Sequence, residues 1–107
     1  MQSFTPPDLA AYLANDEEEA PVLLDVREPW EFQICHIDGS VSMPMKTVPE
    51  RLPELDASRT VVCICHHGVR SLDVGLFLER NGFARVINLS GGVHAWATQV
   101  DAQMPTY

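Results

Sequence analysis

The chain has 107 residues, 46% hydrophobic and 21% charged, which describes one ordinary globular domain over residues 1–107 with a core of its own. Fifteen acidic against seven basic residues leave a formal net charge of −8, which excludes the basic face that nucleic acid or an anionic membrane would need. Three cysteines are too few and too odd for a disulfide framework, no apolar run reaches membrane-spanning length, and residues 1–8 lack the parts of a signal peptide, so the expected location is cytoplasmic.

The first element is a helix. Thr5 is its N-cap, Pro6 takes the first helical position, and Asp8 completes a capping box. Leu9, Tyr12 and Leu13 give it an apolar stripe, Asn15 ends it, and the acidic run 16–19 is a solvated loop. Val22, Leu23 and Leu24 form a buried strand, with Asp25-Val26-Arg27-Glu28 at its C-terminal end, where ligand crevices of open α/β sheets lie. Arg27 at that end could help hold an anion, but an Asp25–Arg27 tie between neighbouring loops is the favoured reading.

Pro29, Trp30, Glu31 and Phe32 predict a short helix anchored by its aromatics. His36-Ile37-Asp38-Gly39-Ser40 reads as a turn, with His36 a packing and hydrogen-bonding residue, and residues 41–43 form a short strand closed by Pro44. Thr47-Val48-Pro49-Glu50 resembles a second capping box opening a short helix through Leu52, and residues 56–59 are a surface turn.

Val61, Val62, Cys63 and Ile64 are apolar without alternation, as in a strand buried on both faces of a parallel sheet. Cys65 stands at its end. A loop over residues 65–70 follows, in which Gly68 permits a tight turn, and from about Ser71 the residues Leu72, Leu76, Phe77 and Leu78 return with helical spacing until Gly82. Residues 85–89 make the last strand. Ser90-Gly91-Gly92 then opens a helix carrying Val93, Trp96 and Val100, its paired glycines letting the backbone pass close to another segment; the tail 101–107 is irregular. Strands alternating with helices imply a parallel sheet with helices on both faces.

A thiol at the end of a strand and just before a helix meets unpaired N–H groups and the positive end of the helix dipole, and both favour the reactive thiolate. Arg70 adds positive charge at the rim. Cys63, inside the strand, fits the ordinary fate of a buried small hydrophobe, whereas Cys65 does not. A metal site from Cys63, Cys65, His66 and His67 lacks the spacer that brings separate turns onto one ion, and a dinucleotide loop at Gly91-Gly92 lacks the spaced third glycine.

Three segments together resemble the rhodanese family of sulfurtransferases: Leu24-Asp25-Val26-Arg27-Glu28 with His36-Ile37-Asp38-Gly39-Ser40, then Cys65-His66-His67-Gly68-Val69-Arg70-Ser71, then Asn88-Leu89-Ser90-Gly91-Gly92-Val93-His94-Ala95-Trp96. The resemblance implies an α/β fold of three layers, with a five-stranded, mainly parallel sheet between helices. It implies that Cys65 accepts sulfur and that the N–H groups of His66, His67, Gly68, Val69, Arg70 and Ser71 cradle the resulting persulfide; Asp25 and Arg27, by their place at a strand end, are candidate secondary residues. Cys35 departs from the family, which commonly has glycine there, and His66 and His67 fall at variable positions.

The implied reaction is a ping-pong transfer from thiosulfate through a Cys65 persulfide to cyanide or a thiol, with no cofactor and no metal. A phosphatase or arsenate reductase on the same fold is the enzymatic rival. Four residues separate Cys65 from Arg70 where phosphate loops of that type hold five, so the shorter loop suits sulfur. A binding module without turnover is the other rival.

Overall fold

The computed structural model describes residues 1–107. Strands β1 (Gln2–Phe4), β2 (Val22–Asp25), β3 (Val41–Ser42), β4 (Val61–Ile64) and β5 (Val86–Leu89) alternate with helices α1 (Pro6–Leu13), α2 (Pro29–Ile34), α3 (Val48–Arg51), α4 (Val69–Arg80) and α5 (Gly92–Gln99). Short 3-10 turns, Met45–Thr47 and Leu52–Glu54, flank α3. The strands form one sheet in the order β1-β5-β4-β2-β3, every pair parallel. β2 exits toward β3 on one side and β4 toward β5 on the other, so the order reverses between β2 and β4. Ligand crevices in such sheets form beyond the strand ends at that reversal.

All four residues of β4 are buried, because apolar layers cover the sheet on both faces. Leu24, Val61, Cys63 and Cys65 pack with Val74 and Leu78 of α4 on one face; Leu23, Val62, Ile64 and Ile87 pack with Leu9, Val93 and Trp96 on the other. The unalternating run at 61–64 thus has a direct cause: successive side chains point to opposite faces, and both faces are core.

Thr5 accepts from the Asp8 N–H at 3.2 Å and Asp8 accepts from the Thr5 N–H at 3.0 Å, the expected capping box. Four expectations are corrected. β1 carries no apolar pattern; it is an edge strand recruited by backbone pairing with β5, Ser90 N–H reaching the Phe4 carbonyl at 2.8 Å. Thr47 caps nothing, because it already has helical backbone angles and its hydroxyl donates to the Pro44 carbonyl at 2.7 Å. Trp30 is 58% exposed, and the residue that anchors α2 inward is Glu31. Helix α4 begins at Val69, two residues early, so Val69 and Arg70 lie in its first turn rather than in the loop before it. At the other ends, α1 stops at Leu13 with Ala14 as its cap, and α5 stops before Val100.

Two glycines fix the β4–α4 connection. Gly68 has φ +100, a left-handed conformation that turns the chain from strand into helix within residues 65–68. Gly92, at φ +60, lies so close to the connection that an added Cβ would overlap the carbonyl oxygens of Cys65 and His66. The next two N–H groups of α5 use that proximity: Val93 donates to the Cys65 carbonyl at 2.9 Å and His94 to the His66 carbonyl at 3.1 Å.

Gly92→Ala is expected to lower unfolding free energy by about 2–4 kcal/mol, since positive φ and a backbone clash act together. Urea midpoints of the two proteins, read by circular dichroism, check this; equal midpoints would contradict the close approach.

Candidate active site

Cys65 sits at the C-terminal end of β4, 1% exposed. Its sulfur accepts a hydrogen bond from the Gly68 N–H at 3.0 Å and lies 3.2 Å from the Ser71 hydroxyl. The N–H groups of His66, His67, Val69, Arg70 and Ser71 reach no acceptor within the protein. The Cys65 and His66 carbonyls are held by α5, on the other side of the loop. The connection therefore gives its acceptors to α5 and leaves free donors in the residues that follow the thiol, at the positive end of the twelve-residue α4.

Arg70 does not stand free at the rim. Its two terminal nitrogens donate to the two oxygens of Glu31 at 2.7 and 2.9 Å, a bidentate pair. Glu31 also accepts from the Glu28 N–H at 3.0 Å and from the Tyr107 hydroxyl at 2.7 Å. The Arg70 bond, helped by the Tyr107 bond and opposed by burial, pulls the Glu31 carboxyl down from an ordinary 4.5 to about 2. The same pairing raises the Arg70 guanidinium above its already high ordinary value.

Asp25 and Arg27 lie beside this pair, both fully buried. Arg27 Nε and one terminal nitrogen grip the Asp25 carboxylate at 2.9 and 2.6 Å. Its remaining N–H groups go to the Cys35 carbonyl at 2.7 Å, the Glu31 carbonyl at 3.3 Å and the Tyr107 oxygen at 2.9 Å. All five donors are thereby committed within the protein. Burial opposes the charge of Arg27, but the bonds to Asp25 and Tyr107 outweigh it and hold the pKa up. Of the two sequence readings the tie between loops is the one realised, and Arg27 keeps no donor for a substrate anion.

Rings line the mouth. His66 stacks on Tyr107 with centroids 3.9 Å apart, and His67 lies 4.0 Å from His66. Burial first, and then the neighbouring His67, lowers the His66 pKa. The Val69 side chain is 70% exposed, so Val69 gives the site only its N–H. His36, as expected, is a packing residue: it stacks on Phe32 at 3.9 Å and its ring nitrogen contacts the Phe32 carbonyl at 2.9 Å. Cys63 is enclosed in the core, where burial, and secondarily Cys65, pushes its thiol up to about 12. Cys35 is buried beside Arg27, its sulfur 3.9 Å from a guanidinium nitrogen.

Three contributors have no site role in the sequence reading. Asn88, a buried residue of β5, contacts Ser71 and Gly68. A polar residue within Val86-Ile87-Asn88-Leu89 is itself a signal, because a buried amide must find partners. Glu31 was legible only as part of a helix, and nothing in the tail 101–107 singles out Tyr107.

A family model described as a rhodanese-like domain matches residues 5–99. The chain belongs to the rhodanese-like family. It is 37% identical over 89 residues to a protein named sulfurtransferase from Allochromatium vinosum, covering 83% of this chain and 81% of that one. It is 33% identical to the thiosulfate sulfurtransferase GlpE of Pseudomonas syringae pv. syringae, with 87% and 85% covered. A probable adenylyltransferase/sulfurtransferase, MoeZ of Mycobacterium tuberculosis, is 36% identical over 107 residues, but this domain spans only 27% of its length. A crystal structure of a rhodanese-like domain protein from Staphylococcus aureus superposes with a TM-score of 0.84 at 31% identity, covering 100% of this chain and 99% of that one. The rhodanese-like fold and family membership thus agree with the sequence expectation.

The depressed Glu31 pKa gives the site a pH signature. The carboxylate–Arg70 pair contributes fully above about 4.5 and is lost as pH falls toward about 2. The stability gap between the parent and Glu31→Gln should accordingly narrow through that window, measured as urea midpoints at pH 6, 4 and about 2.5. A constant gap would mean that the carboxylate charge does not hold Arg70.

Proposed function

We propose that this rhodanese-like domain is a thiosulfate sulfurtransferase with Cys65 as its sulfur-carrying residue. One observation supports the reading above others: five N–H groups of residues 66–71 have no protein acceptor, in the loop and helix start that directly follow a thiol Gly68 already bonds. In the first half-reaction the Cys65 thiolate attacks the outer sulfur of thiosulfate. A sulfur–sulfur bond forms to Cys65, the bond to the sulfonate sulfur breaks, its electron pair leaves on sulfite, and a cysteine persulfide anion remains. In the second, cyanide or a thiolate attacks the terminal sulfur, takes it, and returns the Cys65 thiolate.

Fixed N–H dipoles stabilise charge on the terminal sulfur without reorganising, as oxyanion-binding donors do. His66, His67, Gly68, Val69, Arg70 and Ser71 contribute chiefly through backbone, and Arg70 is the charged wall that Glu31 holds in place. No step calls for a cofactor or metal. Three unbridged cysteines suit a reducing compartment such as the cytoplasm. Only His66, His67, Gly68 and Val69 separate Cys65 from Arg70, one residue fewer than in phosphate loops of that type, which favours sulfur over phosphate or arsenate chemistry.

Thiosulfate should add one sulfur atom to Cys65, removable by cyanide and read by peptide mass spectrometry. Cys65→Ser should abolish thiocyanate formation, at least about 10³-fold, while Cys63→Ala and Cys35→Ala keep most of it. Aryl phosphates should not be hydrolysed. Sulfur on Cys35, turnover by Cys65→Ser, or robust phosphatase activity would each refute the assignment; a parent that binds thiosulfate without turnover would favour a binding module.

A further inference from the structure

The polar atoms around Cys65 form a closed ring with a proton to place. Asn88 Nδ2 donates to the Gly68 carbonyl at 3.1 Å, which fixes the amide so that its oxygen faces Ser71. The Ser71 hydroxyl lies 2.5 Å from that Oδ1 and 3.2 Å from the Cys65 sulfur. Ser71 is fully buried and Asn88 is 5% exposed. An amide oxygen carries no proton, so the proton in the short contact belongs to Ser71. A hydroxyl has one proton. Ser71 therefore presents a lone pair to the sulfur, and the proton in that second contact is the thiol's own.

Ionisation changes this balance. When Cys65 releases its proton to solvent, a lone pair of Ser71 faces a sulfur anion, and the hydroxyl relieves the repulsion by turning its proton to the sulfur. Asn88 Oδ1 then loses the only donor it has among the protein's side chains, in a buried position where an unpaired acceptor is costly. The two acceptors compete for one proton.

We propose that Asn88 is a positioning residue that holds the Ser71 proton away from the resting Cys65 thiol, and that the Ser71 hydroxyl turns to donate its hydrogen bond to the sulfur in the thiolate and persulfide states. Asn88 touches no reacting atom; it acts through Ser71. The proposal rests on Cys65 being the sulfur-carrying residue.

The discriminating property is the sign of the effects. Removing the competitor frees the Ser71 proton for the anion, whereas removing Ser71 takes that donor away. With iodoacetamide in pseudo-first-order excess at pH 7, and the label located by peptide mass spectrometry, Asn88→Leu should be alkylated at Cys65 about fivefold faster than the parent and Ser71→Ala about fivefold slower. Asn88→Asp keeps an acceptor, strengthens it with charge, and should be slower than the parent. A merely structural role would loosen the pocket in all three variants and move their rates in one direction. Rates that move together, or an Asn88→Leu rate equal to the parent's, overturn the proposal while leaving Cys65 as the labelled residue. Should Asn88→Leu fail to fold by circular dichroism, Asn88→Asp decides: a slower rate supports the proposal, and an equal or faster one overturns it. Labelling that maps to Cys35 instead overturns both this proposal and the functional reading beneath it.

Discussion

The site depends on the approach of Gly92 to the β4–α4 connection. Because no side chain intervenes, Val93 and His94 at the start of α5 take the carbonyls of Cys65 and His66. With the Cys65 and His66 carbonyls held by α5, the Gly68 N–H bonds the Cys65 sulfur and the N–H groups of residues 66, 67 and 69–71 stay without a protein acceptor. Gly68 completes the constraint, since its left-handed backbone brings α4 in at Val69 with its first N–H groups free. Two helix starts thus serve one loop in opposite senses: α5 supplies donors that bind the loop's carbonyls, and α4 adds donors to the site.

This arrangement explains how a chain of net charge −8 can offer a place for negative charge. Arg70 is paired to Glu31 and Arg27 to Asp25, so neither guanidinium stands unopposed. The remaining attraction comes from peptide dipoles at contact distance. Much of the acidic charge is exposed and screened beyond about 8 Å at physiological ionic strength, whereas buried donors are screened much less. The Tyr107–Glu31–Arg70 connection then has a clear mechanical meaning: it fixes the wall of the site without adding net charge to it. Around the sulfur, the Ser71–Asn88 ring extends the same economy of donors to the side chains.

What could be read in the sequence was what depends on local pattern. The run Val61-Val62-Cys63-Ile64 announces burial on two faces, Thr5 and Asp8 announce a capped helix, and a cysteine followed within three residues by glycine and then a helix announces a thiol at a helix start. What could not be read depends on distant segments meeting. β1 exists only because β5 pairs with it. Thr47 has the residue type of a cap, but it is already the last residue of the 3-10 turn Met45–Thr47. Arg70 reads as free charge until α2 brings Glu31 across 39 positions of chain, and Tyr107 gains its partners across 76 and 80. Asn88 falls between the two classes, because its polarity inside an apolar strand signals a task but not the partner.

The most direct test of the account is a crystal structure determined after thiosulfate treatment. It predicts a second sulfur bonded to Cys65 Sγ, about 3.2–3.8 Å from several of the free N–H nitrogens of residues 66–71, with the Arg70–Glu31 pair intact. Sulfur on Cys35, or a Cys65 persulfide pointing away from those N–H groups into the core, would contradict it.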